Sequence, residues 1–254
     1  MKFSGKHALI TGGANGIGRC IAEYFLAADA TVTIIDVDLT AGDALTELHP
    51  NMHFFHGDVA AQADLEALVK SITQPVDILV NNACISRKGL LSGCSYADFL
   101  YVQQVGVVAP YYLTSLLLEK NLLTRGASIL NIASTRAKQS QADTESYTAA
   151  KGGILALTHA MAVSLAGKAR VNIISPGWID TAAYQHSTKN TEHSLADQKQ
   201  HPAGRVGKPE DIAEMVLFLS GEKAGFITGE NITVSGGMDK MMIYHGDNGW
   251  HLEQ

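Results

Sequence analysis

The sequence contains few of the residues that mark specialised classes of protein. Its three cysteines, Cys20, Cys84 and Cys94, form no C-x-x-C pair. We therefore expect neither a disulfide framework nor a structural zinc site. The same cysteine content is typical of a protein in a reducing compartment. No Pro- or Ser-rich stretch separates two halves of the chain, and no apolar run is long enough to span a membrane. The N-terminal segment also lacks the apolar region of a signal peptide, so we expect a cytoplasmic protein with no membrane contact.

Charge is also scarce, at 17% of the 254 residues, and 19 basic against 25 acidic residues give a net charge of −6. Because no basic cluster is present, the sequence does not predict nucleic-acid binding. No pair of His residues has the spacing of a strong metal motif, so no metal site is expected. Hydrophobic residues make up 46% of the chain, which is enough to bury a sizeable core.

Short apolar runs alternate with segments of helical periodicity along the whole chain. Strands are predicted at residues 7–11, 31–35, 52–56, 76–80, 128–133, 169–175 and 231–234. Helices are predicted at residues 17–28, 65–72, 147–166 and 209–220, with two more within 96–124. This alternation predicts a single α/β domain over residues 1–254, with a parallel sheet of about seven strands and helices on both faces. Residues 184–205 form a polar substrate-binding flap in this interpretation. The tail, 238–254, packs either on a neighbouring subunit or on its own chain.

A glycine-rich turn, TGGANGIG at residues 11–18, joins the first strand to the first helix. Glycine permits the tight turn, the close approach of a pyrophosphate and the close packing of helix on strand, and the helix N-terminus favours anionic phosphates. The spacing is GxxxGxG rather than the commoner GxGxxG. The turn predicts a dinucleotide site. Its candidate cofactor-binding residues are Gly12, Asn15, Gly16, Ile17 and Gly18.

Asp36 ends the second predicted strand, where a carboxylate can accept hydrogen bonds from both adenosine ribose hydroxyls. It would repel a 2′-phosphate, and no Lys or Arg lies within residues 12–18 or directly after Asp36 to neutralise that group. The cofactor is therefore predicted to be NAD rather than NADP. Asp58 and Val59 follow the third strand, where the Asp58 carboxylate can meet the adenine amino group.

Tyr147 and Lys151 lie four residues apart at the start of a long predicted helix, so they share one face. An ammonium beside a phenol favours the phenolate, which makes tyrosine a usable proton donor and acceptor. Ser134 directly follows the fifth strand, where its hydroxyl can bind a substrate oxygen as charge develops there. Ser134, Tyr147 and Lys151 are therefore the candidate catalytic residues.

With these motifs the chain resembles the short-chain dehydrogenase/reductase family over essentially its whole length. The resemblance rests on TGGANGIG, Asp36, DV at 58–59, NNAC at 81–84, Ser134, YTAAK at 147–151, PGWIDT at 176–181, and the segments 204–220 and 227–237. It implies a Rossmann-like doubly wound fold, hydride transfer with a bound nicotinamide dinucleotide, and a homo-oligomer, either a tetramer or a dimer. It also implies that Ser134 polarises the substrate oxygen and Tyr147 moves the proton. The resemblance places three residues at the cofactor, namely Tyr147, Lys151 and Asn81. It places Ile179 and Thr181 at the carboxamide of the nicotinamide.

Two positions depart from the pattern of that family. Cys84 stands where the family usually has glycine, and a buried small side chain is the simplest interpretation. Gly106 stands where the family usually has an asparagine that holds a water for proton transfer to the lysine. We hypothesise that a water or the nearby Gln103 replaces that asparagine.

The expected function is that of an NAD-dependent oxidoreductase that interconverts a secondary alcohol and a ketone. Candidate substrate-binding residues are Arg136, Glu145 and Tyr184. Polyols or sugars, hydroxyacyl compounds and steroids all stay open as the small-molecule substrate. One alternative is an NADPH-linked 3-oxoacyl thioester reductase, which Asp36 opposes. Another is a weakly catalytic dinucleotide-binding regulatory protein, which only Gly106 favours.

Overall fold

Seven parallel strands form one sheet in the computed structural model, which describes residues 2–187, 191–242, 244, 246 and 247. The sheet order is β3-β2-β1-β4-β5-β6-β7. The strands are β1 (His7–Thr11), β2 (Thr31–Asp36), β3 (Met52–His56), β4 (Val76–Asn81), β5 (Leu123–Ile132), β6 (Ala169–Pro176) and β7 (Asn231–Val234). The order reverses between β1 and β4, so the prediction of a Rossmann-like doubly wound sheet is confirmed.

Helices cover both faces of this sheet. They are α1 (Gly16–Ala27), α2 (Leu39–Leu48), α3 (Gln62–Ser71), α4 (Tyr96–Gln103), α5 (Ala109–Glu119), α6 (Glu145–Ser164), α7 (Leu195–Lys199) and α8 (Pro209–Ser220). A π-helical turn, Gln104–Val108, joins α4 to α5. Buried side chains of α1, α2 and α8 form one core with the sheet, and those of α3, α5 and α6 form the other.

The central strands explain why the sheet is stable with both faces covered. All five residues of β1 are buried, and the Ile and Leu side chains of β1, β2 and β4 are almost inaccessible to solvent. Each such side chain contributes about 1.5–3 kcal/mol when it leaves water. Because parallel strands point the same way, their carboxyl ends meet at one edge, which brings Gly12, Asp36 and Ser134 toward the same side of the domain.

Parts of the two outer segments predicted from the sequence lie outside the described residues. This applies to residues 188–190 of the flap at 184–205, and to residues 243, 245 and 248–254 of the tail at 238–254. Within the described part of the chain, no helix has the length and apolar character needed to cross a membrane.

Candidate active site

The glycine-rich turn after β1 has a backbone that side chains would not tolerate. Gly12 and Gly16 have φ values of +64° and +58°, in the left-handed region that favours glycine. A Cβ at Gly18 would lie 2.0 Å from the carbonyl oxygen of Gly12. Asn82, just after β4, holds the turn from the other side, because its Nδ2 donates to the carbonyl oxygens of Thr11 at 3.1 Å and Gly12 at 2.8 Å.

We expect Gly18→Ala to lower the free energy of unfolding by about 1–3 kcal/mol, because the added methyl group overlaps the Gly12 carbonyl. The displaced turn should also bind dinucleotide more weakly. Denaturant unfolding and a dinucleotide titration measure the two effects. Gly152→Ala in α6 is the matched control, since a Cβ there meets nothing within 4 Å. A Gly18→Ala protein as stable as the control would contradict this account of the turn.

A cleft of about 350 Å³ opens above the turn, between the carboxyl ends of the strands. Its wall contains the predicted cofactor-binding residues Gly12, Asn15, Gly16, Ile17, Asp36, Asp58, Val59 and Thr181. The glycines with left-handed backbone conformations let the chain approach a pyrophosphate closely, and the N-terminus of α1 favours its negative charge. The carboxylate at the end of β2 is placed to accept hydrogen bonds from a ribose. The residues present therefore fit a dinucleotide.

Asp36 is fixed within this cleft by backbone hydrogen bonds. Its Oδ2 accepts from the Ala14 N–H at 2.9 Å, and its Oδ1 accepts from the Asp38 N–H at 3.1 Å. Asp38 places a second carboxylate nearby, and its Oδ2 accepts from Nδ2 of Asn15 at 2.9 Å. Hydrogen bonds from the Ala41 N–H and Asn15 hold the pKa of Asp38 below its ordinary value. Two negative charges therefore border the end of β2.

Tyr101 of α4 is a cleft residue that sequence reasoning missed. Its hydroxyl donates to Oδ2 of Asp58 at 2.8 Å, and Arg87 lies 5.5 Å from the centre of its ring. Burial first, and the Asp58 carboxylate second, raise the pKa of Tyr101. The tyrosine thus fixes the carboxylate that we expect at the adenine. No local motif around position 101 marks it, because only the packing of α4 against the cleft brings the two side chains together.

The structure does not place every predicted cofactor residue in the wall of the cleft. The Asn81 side chain points inward, where Nδ2 donates to Oδ1 of Asn131 at 2.8 Å, and Asn82 lines the cleft instead. The role of Asn81 at the cofactor ribose stays a prediction. Ile179 forms a backbone bridge with Gly207 and packs against the core, and its contact with the carboxamide stays a prediction. The interpretation of Cys84 as a buried side chain is wrong, because this residue is exposed at the cleft.

Tyr147 and Lys151 meet as the spacing predicts, on the first turns of α6. Nζ of Lys151 lies 5.4 Å from the centre of the Tyr147 ring and donates to the carbonyl oxygen of Ile132 at 2.7 Å. Lys151 is only 3% exposed. Within the described ranges no carboxylate lies within 4.0 Å of its ammonium. An unpaired buried cation is costly for folding and is typical of a functional site.

Ser134 follows β5 and begins a 3-10 turn at Thr135–Ala137 that packs on α6. Its Oγ accepts from the backbone N–H of Arg136 at 3.2 Å. This contact occupies an acceptor position of the hydroxyl and leaves its proton available. The serine hydroxyl can therefore donate to a substrate oxygen.

Gly106 lies in the π-helical turn between α4 and α5, where a Cβ would approach the Ala150 Cβ of α6 to 2.9 Å. Gln103, which we hypothesise to replace the missing asparagine, lies at the end of α4. Its Nε2 donates to the carbonyl oxygen of Ser146 at 2.8 Å, so its amide N–H group binds the first turn of α6. Glycine at 106 thus permits α4 and its π-turn to pack closely against the helix of Tyr147 and Lys151.

A double-mutant cycle tests this packing. Gly106→Asn is expected to lower the free energy of unfolding by about 1–3 kcal/mol, because Ala150 cannot move away from the new Cβ. Ala150→Gly alone should cost about 1 kcal/mol through its lower helix propensity. In the double variant the two costs should be less than additive, since the second change makes room for the first. Strictly additive losses in urea unfolding would contradict the contact.

The three candidate substrate residues lie in different surroundings. Arg136 lies over the Tyr147 ring, with Cζ 5.7 Å from the ring centre. Glu145 begins α6, and its Oε2 accepts from the N–H of Leu90 at 3.1 Å. The Tyr184 hydroxyl instead donates to Oε1 of Glu210 in α8 at 3.1 Å, and burial raises its pKa. Only Arg136 is thus in direct contact with a candidate catalytic side chain, and Tyr184 packs against the core of α1 and α8.

Comparisons with known proteins agree with this geometry. The family described as enoyl-(acyl carrier protein) reductase matches residues 12–239. An uncharacterized oxidoreductase of Thermotoga maritima is 41% identical, over 95% of this chain and 99% of its own. The 3-oxoacyl-[acyl-carrier-protein] reductase FabG of Chlamydia pneumoniae is 35% identical, over 92% and 97%. The solved structure of an apo SCOR enzyme from Clostridium thermocellum is 45% identical, with a TM-score of 0.89 over 98% and 99% of the two chains.

Proposed function

The chain belongs to the short-chain dehydrogenase/reductase family, and we propose that it is an NAD-preferring dehydrogenase with Ser134, Tyr147 and Lys151 as its catalytic residues. The family assignment makes it an NAD(P)-dependent oxidoreductase acting on CH–OH and ketone groups. The proposal is carried by the buried, unpaired Lys151 beside Tyr147. NAD preference is supported by Asp36 and Asp38, two carboxylates at the end of β2.

Each of the three catalytic side chains has one task in this proposal. A nicotinamide dinucleotide held in the cleft would supply the hydride acceptor for oxidation of the alcohol, or the hydride donor for reduction of the ketone. Ser134 donates its hydroxyl proton in a hydrogen bond to the substrate oxygen, which holds that oxygen toward Tyr147. Tyr147 takes the proton of the substrate hydroxyl at its phenolic oxygen. Lys151 favours the phenolate by its charge, and the N–H groups that Ile132 does not bind can hold the nicotinamide ribose.

A substrate panel tests the proposal. NADH formation is followed over secondary alcohols, polyols, hydroxy acids and steroid alcohols, with NAD and NADP in parallel. Acetoacetyl-CoA with NADPH is the arm for the alternative thioester reductase, which the FabG relative favours. Turnover with NAD supports the proposal. Turnover of the thioester alone, with NADPH, would replace it. Tight cofactor binding without any turnover would favour the regulatory alternative.

Cys84 offers a test of where the cofactor binds. The thiol is exposed at the dinucleotide cleft, whereas Cys94 is half-exposed outside its wall. Burial raises the pKa of Cys20 to about 12, so that thiol should stay unreactive. We expect saturating NAD to slow alkylation of Cys84 by N-ethylmaleimide at least about tenfold and to leave Cys94 unaffected, because only the first is covered. Peptide mass spectrometry measures both rates. Equal slowing at both cysteines, or none, would contradict this binding site.

We also propose that the protein is a homo-oligomer in the cytoplasm. The supporting surface lies on α4, α5 and the turn between them, where Tyr96 is 83% exposed, Val108 52% and Tyr111 58%. Apolar side chains this exposed on neighbouring helices are typical of a protein interface. The proposal requires a mass in solution of at least twice the 27.1 kDa of the chain. The cytoplasmic location is supported by the three free cysteines.

A further inference from the structure

Arg136 provides a second cation at the phenol that we propose as the proton acceptor. It lies in the 3-10 turn that begins at Ser134, and its backbone N–H binds the serine hydroxyl. The guanidinium Cζ lies 5.7 Å from the centre of the Tyr147 ring, a distance comparable with the 5.4 Å of Lys151. The turn therefore places a guanidinium beside the Tyr147 phenol, where the reacting part of the substrate has to bind in the proposed function.

The positive charge of Arg136 is not neutralised by a carboxylate. The contact of its guanidinium is with Oε1 of Gln141, a neutral amide. In the part of the chain that the structure describes, no Asp or Glu oxygen lies within 4.0 Å of it. Other arginines do have such a partner: Arg19 binds Glu23 and Arg205 binds Asp211.

The two acidic side chains that come next in the chain bind backbone groups instead. Oδ1 of Asp143 accepts from the N–H groups of Leu91 at 2.8 Å and Ser92 at 3.2 Å. Oε2 of Glu145 accepts from the N–H of Leu90. These carboxylates bind the 90–92 loop to the start of α6. Among the described residues, the half-buried guanidinium of Arg136 contacts the Tyr147 ring and the Gln141 amide, so most of its five N–H donors have no partner there.

We propose that Arg136 binds a carboxylate of the substrate, so that the enzyme acts on short-chain hydroxy acids and the corresponding oxo acids. This inference rests on the proposed function, because it places the carbinol at Tyr147. The planar guanidinium matches a carboxylate with two parallel hydrogen bonds, and Gln141 keeps it oriented. The short distance between Cζ and the ring means that one small molecule can reach both groups.

The reaction balances without a further reactant. The carbinol C–H bond breaks, and its two electrons and hydrogen pass as hydride to the oxidised nicotinamide. The hydroxyl O–H bond breaks, and its proton passes to Tyr147 and then to water. The products are the oxo acid, the reduced dinucleotide and one proton. The carboxylate stays unchanged and serves only for binding.

The experiment compares charged and neutral forms of one substrate. Lactate and 3-hydroxybutyrate, each as both enantiomers, are assayed beside their methyl esters in the wild-type protein, Arg136→Met and Arg136→Lys. Arg136→Met should lower kcat/KM for the acids about 10- to 100-fold more than for their methyl esters, mainly through KM. Arg136→Lys should recover part of the loss, because it restores the charge but not the two parallel bonds. Arg125→Met, which removes an exposed charge on β5, is the matched control.

The possible results separate this inference from the proposed function. Equal losses of kcat/KM for acid and ester in Arg136→Met, with a shift in the pH dependence of kcat, would mean that Arg136 acts on Tyr147. That result would overturn the inference that Arg136 binds the substrate carboxylate. If the wild-type protein preferred neutral alcohols or esters to acids, the inference about Arg136 would be overturned, but the proposed function would stand. Absence of turnover with any alcohol or ketone and either dinucleotide would remove the proposed function, and this inference with it.

Discussion

Replacement of Tyr147 by Phe is expected to lower kcat by about 10²- to 10⁴-fold, the range that general acid–base catalysis contributes. The variant removes only the phenolic oxygen, which takes the substrate proton in the proposed mechanism. The ring remains, and with it the contacts of Lys151 and Arg136 at 5.4 and 5.7 Å. The affinity for dinucleotide should therefore change less than about threefold. Steady-state kinetics and a dinucleotide titration on the same preparation measure the two quantities.

Tyr112→Phe is the matched control for this loss. Tyr112 lies on α5, and its hydroxyl donates to the exposed Glu66 at 2.7 Å and accepts from Nε2 of Gln62 at 3.1 Å. The variant therefore loses two surface hydrogen bonds and nothing at the cleft. Its kcat should equal that of the wild-type protein. If Tyr147→Phe kept more than about a tenth of the wild-type kcat, another group would be moving the proton, and the role given to Tyr147 would have to be abandoned.

The burial of the Lys151 ammonium supports a catalytic rather than a structural role for this residue. A lysine at 3% exposure with a carbonyl oxygen as its hydrogen-bond partner loses most of its hydration. Such desolvation costs several kcal/mol, which a structural lysine would avoid by reaching the surface. The cost is balanced when a phenolate forms beside it, because the two charges then attract in a poorly solvated site. The arrangement is therefore the one that the proposed role of Tyr147 as proton acceptor requires.

Most of the sheet could be predicted from the sequence, and two deviations have clear physical reasons. The predicted bounds of β1, β3 and β7 agree with the structure, because apolar and β-branched runs with turn residues at each end mark buried strands. Helix α2 was missed. Gly42 interrupts its helical pattern, yet a Cβ there would lie 2.3 Å from the Phe54 ring, so close packing on β3 requires the glycine. Strand β5 begins at Leu123, five residues before the predicted start at 128, and Gly126 with φ of +85° hides this extension in the sequence.

Some features of the candidate site could also be predicted from the sequence, and others could not. Motifs within one turn, such as the glycines at 12–18 or Tyr147 with Lys151, depend on local backbone geometry and could be found from spacing. Contacts between distant segments could not. The bond from Tyr101 to Asp58 joins residues 43 apart, and the approach of Gly106 to Ala150 joins two helices. The exposure of Cys84 depends on how the segment after β4 borders the cleft, which a pattern of small residues does not specify.

Cofactor choice is the second large effect, and the wild-type protein is expected to use NAD at least about 100-fold better than NADP, as measured by kcat/KM. A 2′-phosphate would lie against Asp36, whose carboxylate oxygens are fixed by the N–H groups of Ala14 and Asp38. It would also lie close to a second carboxylate, that of Asp38. Like charges in contact cost several kcal/mol, and each 1.4 kcal/mol is a factor of ten. Wild-type protein that used both dinucleotides equally would contradict this and favour the NADPH-linked alternative.

Asp36→Ala should raise KM for NAD about 10- to 100-fold, because the ribose hydroxyls lose a charged acceptor worth about 1.5–3 kcal/mol. KM for NADP should fall or stay the same, since the repulsion is reduced. Asp36→Asn removes the charge but keeps an acceptor for the Ala14 N–H, so it separates repulsion from damage to the turn. Asp43→Ala, an exposed Asp on α2, controls for the change in net charge. If Asp36→Asn weakened NAD and NADP equally, the carboxylate would be stabilising the loop rather than selecting the cofactor, because a selective charge must affect the phosphorylated and unphosphorylated ribose differently.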